Sequence, residues 1–137
     1  MIARARLPND RASFAKLRAL AESFATAQGF SETMGYRIVL ILEELFANVH
    51  KYSRGDPPAA SVEVGLERDG DTLVVDFTDD GGAFDPLSMP TPLIDQDLEE
   101  RPVGGLGIHI VRSMAGETRY ERSDGRNRLL LQCPIRP

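Results

Sequence analysis

Three short polar stretches carry the residue types that could do chemistry. Residues 43–52, EELFANVHKY, place Glu44, Asn48 and Lys51 at positions i, i+4 and i+7, so one helical face would carry all three. A carboxylate there can accept a proton, an amide oxygen can complete a Mg²⁺ shell and an ammonium can meet a phosphate. The alternative interpretation is an ordinary solvated helix face.

The second stretch, residues 77–86, reads FTDDGGAFDP and directly follows a strand-like run. Asp79 would stand at the end of that strand, where its carboxylate can accept from an exocyclic amine such as adenine N6. Gly81, two residues later, would let a flat ring approach the backbone closely. The alternatives are a plain turn and an acidic calcium loop, although the full EF-hand pattern is missing.

The third stretch, residues 104–111, reads GGLGIHIV and opens a helix. Glycine amides at the positive end of a helix can bind an anion without any side chain. No Gly-Lys-Ser/Thr follows, which excludes a Walker A loop, and the late position in the chain disfavours a Rossmann fingerprint. The alternative is that these glycines serve only close packing.

The bulk properties of the chain narrow its class. Its 137 residues are enough for one domain, 1–137, and its formal net charge of −5 gives no electrostatic footprint for nucleic acid or an anionic membrane. Cys133 is the single cysteine, so neither an internal disulfide nor a cysteine zinc cluster is expected. No secretory signal or run of about 18 apolar residues is found, so we expect a cytoplasmic protein without a membrane or nucleic-acid partner.

Hydrophobic periodicity predicts the elements that must position these stretches. We expect a strand over 2–7, a helix capped by Asn9 or Asp10 that runs to about Gln28 and ends at Gly29, and a second helix capped by Ser31 that runs to about residue 53. The core stripe of the second helix is expected to contain Met34, Ile38, Leu42, Leu45 and Val49.

The second half of the chain predicts two hairpins separated by a loop and a helix. Strands over 61–68 and 72–78 flank Asp69-Gly70-Asp71, and strands over 118–122 and 128–133 flank a turn at 123–126. Between the hairpins lie a loop over 79–103 and a helix over 106–115. The order predicts an α+β fold: a two-layer sandwich with helices on one face of a mainly antiparallel mixed sheet.

The succession of Glu-x-x-x-Asn on a helix, Asp-x-Gly after a strand, and a glycine loop into a helix resembles the GHKL superfamily, which has the Bergerat ATP-binding fold. The resemblance runs from about residue 7 to 133. Within that superfamily the chain has no phosphoacceptor-histidine helices, sensor region or transducer domain. It therefore looks like the bacterial anti-sigma-factor serine/threonine kinases.

The resemblance implies ATP and Mg²⁺ as ligands. It makes Asn48 the Mg²⁺ ligand, Glu44 the general base, Lys51 a phosphate contact and Asp79, with Gly81, the adenine contact. An ATP lid is implied over 86–103. Further nucleotide contacts are implied for Ala83, Phe84, Arg101, Gly104, Gly105, Leu106 and Gly107. The chain departs from the pattern at Ala83 and at Val103, where glycine is usual.

The activity implied by the resemblance is phosphoryl transfer from Mg²⁺-ATP to a Ser or Thr of a STAS-type anti-sigma antagonist, with a sigma factor or another regulator as the bound target. The alternative is a nucleotide-gated module that sequesters a regulator without phosphotransfer. A third option, an ATPase or histidine-kinase fragment, is disfavoured because the first and last strands of the fold are both predicted. Homodimers are common in the resembled family, and the oligomeric state stays open.

Overall fold

The structure, a computed structural model, describes residues 2–52, 60–88 and 105–135. A first strand is followed by two long helices and a hairpin, and a short 3₁₀ turn at Pro86–Ser88 comes before the third helix and a second hairpin. The elements are β1 (Ile2–Pro8), α1 (Ser13–Gln28), α2 (Glu32–Tyr52), β2 (Ser61–Asp69), β3 (Thr72–Asp79), α3 (Gly105–Met114), β4 (Glu117–Ser123) and β5 (Arg126–Pro134).

α1 ends and α2 begins on the local signals that the sequence predicts. The predicted N-cap of α1, Asn9 or Asp10, is wrong: the residue before the helix is Ala12, which makes no side-chain cap bond. Asp10 accepts the backbone N–H of Ser13 at 3.1 Å, and a short turn places the first residue of α1 at Ser13 itself. Gly29 ends α1 with a φ of 68°, a left-handed conformation that suits glycine. The hydroxyl of Ser31 accepts the N–H of Met34 at 3.1 Å and so caps α2.

The five strands form one sheet in the order β1-β2-β3-β5-β4. All four pairings are antiparallel, so the described residues contain no parallel pair, although the sequence predicts a mainly antiparallel mixed sheet. The connection through α3 makes β5, the last strand, the neighbour of β3. β4 is thereby placed at the edge. The predicted α+β fold with two layers is confirmed.

The core lies between the inner face of the sheet and the helices. Alternate residues of β2, β3 and β5 point inward and are buried, as the two-residue period of a strand requires. The rings of Phe14 and Phe46 meet edge to face, with centroids 4.6 Å apart, where α1 packs on α2. The whole predicted stripe of α2 is buried: Met34, Ile38, Leu42, Leu45 and Val49. No helix within the described ranges is long and apolar enough to cross a membrane.

One end of the sheet gathers the segments that the sequence singles out. Asp79, the last residue of β3, is the register partner of Asn127 near the start of β5. Both belong to the inward-facing set of their strands, and both are buried. The pairing therefore delivers two polar side chains to the face that α2 covers.

Candidate functional site

Three of the four buried polar side chains in the described residues line the same pocket. The four are Ser13, Asn48, Asp79 and Asn127. Ser13 lies elsewhere, where it donates to the carbonyl of Pro8 and to Asp10 at the start of α1. The other three lie around one pocket between α2 and the end of the sheet. Because buried polar groups cost free energy unless they are bonded, such a concentration points to a functional site.

Asp79 reaches this pocket because it continues the inward-facing register of β3. It is 7% exposed and follows Phe77 and Val75 on the same face. Its Oδ1 accepts the backbone N–H of Gly81 at 2.9 Å and the side-chain amide of Asn127 at 3.0 Å. The turn of the Asp-x-Gly motif is thus closed by the aspartate itself, which fixes the orientation of the carboxylate.

Asn127 holds this end of the sheet together. Its amide donates to Asp79 Oδ1 and, at 2.8 Å, to the carbonyl of Gly82. Its oxygen accepts the backbone N–H of Phe84 at 3.1 Å and the hydroxyl of Tyr120. The two donors and two acceptor sites of the carboxamide are all used. Asn127 therefore ties the loop after β3 to both strands of the second hairpin.

The sequence analysis did not identify Asn127 or Tyr120. Asn127 follows a turn, where asparagine is common, so its type carried no signal by itself. Its spacing did carry one: it stands two, four and six residues before Leu129, Leu131 and Cys133, which are all buried. A polar residue in the inward-facing register of a buried strand is a candidate for a site.

Asn48 lies opposite Asp79, on α2. It is 5% exposed because its neighbours Leu45 and Val49 are themselves in the core, so it does not lie on a solvated helix face. Its Nδ2 is buried with no hydrogen-bond partner among the described residues. An unpaired buried amide costs about 1–3 kcal/mol, so its retention needs a reason beyond packing.

The pocket itself is nearly filled by the protein. Its cavity volume is about 20 Å³, close to the space that one water molecule needs. Phe84, Pro86 and Tyr120 form part of its wall, and burial raises the pKa of the Tyr120 hydroxyl. A purine ring can enter only if this wall shifts, and the loop after β3 contributes two of the three side chains.

Glu44 stands one helical turn before Asn48 and lies against the start of α3. It is half-buried, and its carboxylate contacts Gly107 where that glycine lacks a side chain. The structure therefore brings together two groups of predicted residues. Asn48, Asp79 and Phe84 line the pocket. Glu44, one turn before Asn48 on α2, contacts Gly107 of α3.

Comparison with known proteins identifies the family of the chain. Residues 7–133 match the histidine kinase-like ATPase domain, a family in which ATP binding is implied. The chain belongs to this family. The match covers every described element of the fold except the outer end of β1 and the last residues after Cys133.

A curated relative supports the assignment of the chain to this ATPase domain family. The chain is 26% identical over 118 residues to the serine/threonine-protein kinase BtrW of Bordetella bronchiseptica, covering 85% of this chain and 82% of that protein.

Two solved structures share its fold. The chain aligns over its full length, with a TM-score of 0.67 and 15% identity, to a structure of the RsbU and RsbW domains of Rv1364c from Mycobacterium tuberculosis, and spans 33% of that longer chain. It also aligns over 96% of its length to a chain of the SiaB–SiaC complex from Pseudomonas aeruginosa, with a TM-score of 0.60, 17% identity and 89% of that chain covered. At these identities the likeness concerns the fold.

The donor set of this ATPase domain suits Mg²⁺ bound to a nucleotide. Within the described ranges no three His, Cys, Asp or Glu residues are close enough to hold a metal alone. Mg²⁺ on a triphosphate needs only one or two protein oxygens, because phosphates and waters complete its shell. Asn48 has the one unpartnered carboxamide at the pocket, and a half-turn of that group exchanges its oxygen and nitrogen. The residue present therefore fits the ion.

The remaining predicted residues of this ATPase domain fall into four groups. Gly81 is buried and its carbonyl accepts from Arg122 at 2.7 Å, so it belongs to the Asp79 turn. Ala83 is exposed and does not line the pocket. Gly105 and Leu106 are the first two residues of α3, which therefore begins one residue earlier than the predicted 106. The side chain of Lys51, Gly104, Arg101 and the predicted lid beyond Ser88 lie outside the described residues.

A larger cavity than this pocket lies elsewhere in the described part of the chain. It has a volume of about 490 Å³ and lies on the open face of the sheet, away from α2. Its lining is charged and largely satisfied in pairs, such as Arg128 with Asp76 at 2.7 Å and Arg6 with Glu63 at 3.8 Å. A wide, self-neutralised groove of exposed ion pairs is weaker evidence for a ligand than a buried, unpartnered amide, and we place the site at Asn48.

Proposed function

We propose that the chain is an ATP-dependent protein serine/threonine kinase that phosphorylates a STAS-type antagonist in a partner-switching system. One observation carries the proposal: Asn48, Asp79 and Asn127 are buried around one pocket, and the amide of Asn48 has no partner among the described residues. Membership in an ATPase domain family and the similarity to a serine/threonine-protein kinase support it.

In this proposal Asp79 accepts from the exocyclic amine of adenine, and the N–H of Gly81 and the amide of Asn127 keep its carboxylate aimed. Because two donors already hold the aspartate, its side chain loses little conformational freedom when adenine binds, and this favours affinity. The same acceptor disfavours guanine, whose carbonyl would face the carboxylate. The glycine-rich start of α3 would meet the phosphates with backbone N–H groups.

Asn48 would hold Mg²⁺, which would spread the negative charge of the phosphates. Glu44, one turn away on α2, would orient the acceptor hydroxyl and take its proton as the oxygen attacks the γ-phosphorus and ADP leaves. Lys51 and Arg101 are proposed to touch the phosphates. The chain is proposed to bind a sigma factor or another regulator as its target. The unphosphorylated STAS-type antagonist would release that target from the chain.

Nucleotide binding is the first test. Isothermal titration of the purified chain with Mg²⁺-ATP should show binding that Asp79→Asn weakens by at least tenfold, since the amide presents a donor to the adenine amine. Asp71→Asn is the matched control: it makes the same chemical change at an exposed site just before the other end of β3, and should leave the affinity unchanged. If the wild type and both variants bind ATP with equal affinity, adenine does not bind at Asp79.

Phosphotransfer is the second test. With labelled ATP and a STAS-domain protein encoded beside the chain, we expect label on a Ser or Thr of that protein. Glu44→Gln should keep ATP affinity within about threefold and lower the transfer rate by about 10²-fold or more. If ATP binds but no transfer occurs to any such partner, the chain is the nucleotide-gated binding module, and ATP-dependent capture of the partner would then be measured.

A further inference from the structure

Gly107 and Glu44 share one small volume where α3 crosses α2. A Cβ built on Gly107 would overlap Oε2 of Glu44 and lie 3.0 Å from its Cδ and 3.7 Å from its Cγ. Carbon atoms that are not bonded do not approach a carboxylate so closely. The carboxylate of Glu44 therefore occupies the place that any side chain at position 107 would take.

The space left open at Gly107 bears directly on where the carboxylate lies. Glu44 is half-buried, and the described residues give it no hydrogen bond or ion pair. A reacting group that is displaced by about 1 Å can lose about 10²-fold in rate, so a base held by shape is sensitive to its neighbour.

We propose that Gly107 is a positioning residue for Glu44: its lack of a side chain creates the slot that holds the carboxylate of the base. The inference rests on the proposed function, and differs from the first interpretation of Gly107 as a direct phosphate contact. In that interpretation an added methyl group would obstruct the nucleotide. In the present one it displaces the carboxylate and leaves the nucleotide where it was.

The overlap falls on the far end of a flexible side chain, so a substitution at Gly107 can be accommodated without a shift of the backbone. Alanine at position 107 would push the Glu44 carboxylate aside and leave the backbone of α2 in place. Alanine is also the better helix former, so the fold of α3 should be retained. Gly107→Ala is thus expected to move the base without unfolding the domain.

A double-mutant cycle tests the proposal. Gly107→Ala should lower kcat at least tenfold while KM and Kd for ATP change less than about threefold. In a Glu44→Asp background, the same change should alter kcat less than about threefold, because the shorter carboxylate no longer reaches the methyl group. Equal losses in both backgrounds, or a loss of ATP affinity that persists in Glu44→Asp, would overturn it.

A stability cycle separates this inference from the proposed function. If the wild-type chain transfers no phosphoryl group, the kinase proposal fails, but melting temperatures still report the contact. Gly107→Ala should raise the melting temperature by a few degrees in a Glu44→Ala background, where the slot is empty, and raise it less, or lower it, with Glu44 present. The same shift in both backgrounds would show that the two residues do not interact.

Discussion

Replacing Asn127 by alanine is the sharpest test of how the pocket is built. The change removes both donors and both acceptor sites of a carboxamide that joins Asp79, Gly82, Phe84 and Tyr120. Asp79 Oδ1 would lose the amide of Asn127 and keep the N–H of Gly81 at 2.9 Å. The loop after β3 would lose its side-chain tie to β5.

The size of the effect follows from burial. Asn127 is 4% exposed and Asp79 is 7% exposed, so water does not readily replace the bond between them. Gly82, Phe84 and Tyr120 are each partly exposed, and water can take over much of their loss. Counting one fully buried bond to a charged group and a fraction of three others gives about 3 kcal/mol. For a domain of this length that is a fall of roughly 10 °C in melting temperature.

Nucleotide binding should fall as well, because the carboxylate of Asp79 loses the donor that Asn127 supplies. We expect ATP affinity to drop by at least tenfold and the preference for ATP over GTP to narrow. Titration calorimetry well below both melting temperatures measures this without interference from unfolding. Tyr120→Phe removes one of the four bonds and should cost about 1 kcal/mol or less, with ATP affinity nearly unchanged.

Gln132→Ala serves as the matched control, since Gln132 lies on β5 but is exposed. It should leave both the melting temperature and ATP affinity near wild-type values. The reasoning is refuted if Asn127→Ala melts within about 2 °C of the wild type and binds ATP equally well. The bond from Asn127 would then not be needed to orient Asp79.

Two further predictions concern groups outside the pocket. Burial alone would raise the pKa of Asp80, but hydrogen bonds from Ser61 and Ala60 outweigh it and lower the pKa below 3.8. Asp80→Asn should therefore cost about 0.5–1 kcal/mol in urea unfolding near pH 7, and the difference should vanish as pH falls through the lowered pKa; a constant difference down to pH 2 would contradict it. Burial raises the pKa of Cys133 to about 11. Iodoacetamide at pH 8 should leave it unlabelled in the native protein and label it in guanidinium, and rapid native labelling would be the contrary result.

Local features of the fold were predictable because they depend on neighbours in sequence. Gly29 and Ser31 mark the boundary between the first two helices through their own backbone conformation and hydroxyl group. The stripe from Met34 to Val49 follows from a period that any amphipathic helix shares. The first residue of α1 was less exact, since Asp10 caps a turn that precedes the helix.

The candidate site was predictable only in part. Asp79, Gly81 and Asn48 were identified because their motifs are short and their spacing is fixed. Asn127 was missed because its partners are distant in sequence, and its significance appears only when β5 pairs with β3. Ala83, assigned through the motif, is exposed because the loop turns it away from the pocket.

The sequence by itself determined the elements, the glycine that ends α1, the cap of α2, the buried faces and the types of residue available for chemistry. Propensity and periodicity act over a few residues, so they can be read locally. Tertiary structure alone decided that Asn127 meets Asp79, and that the carboxylate of Glu44 fills the space beside Gly107. Those contacts depend on which strands pair and how two helices cross. The free energy that selects this pairing and crossing comes from contacts over the whole core, so no local sequence pattern predicts them.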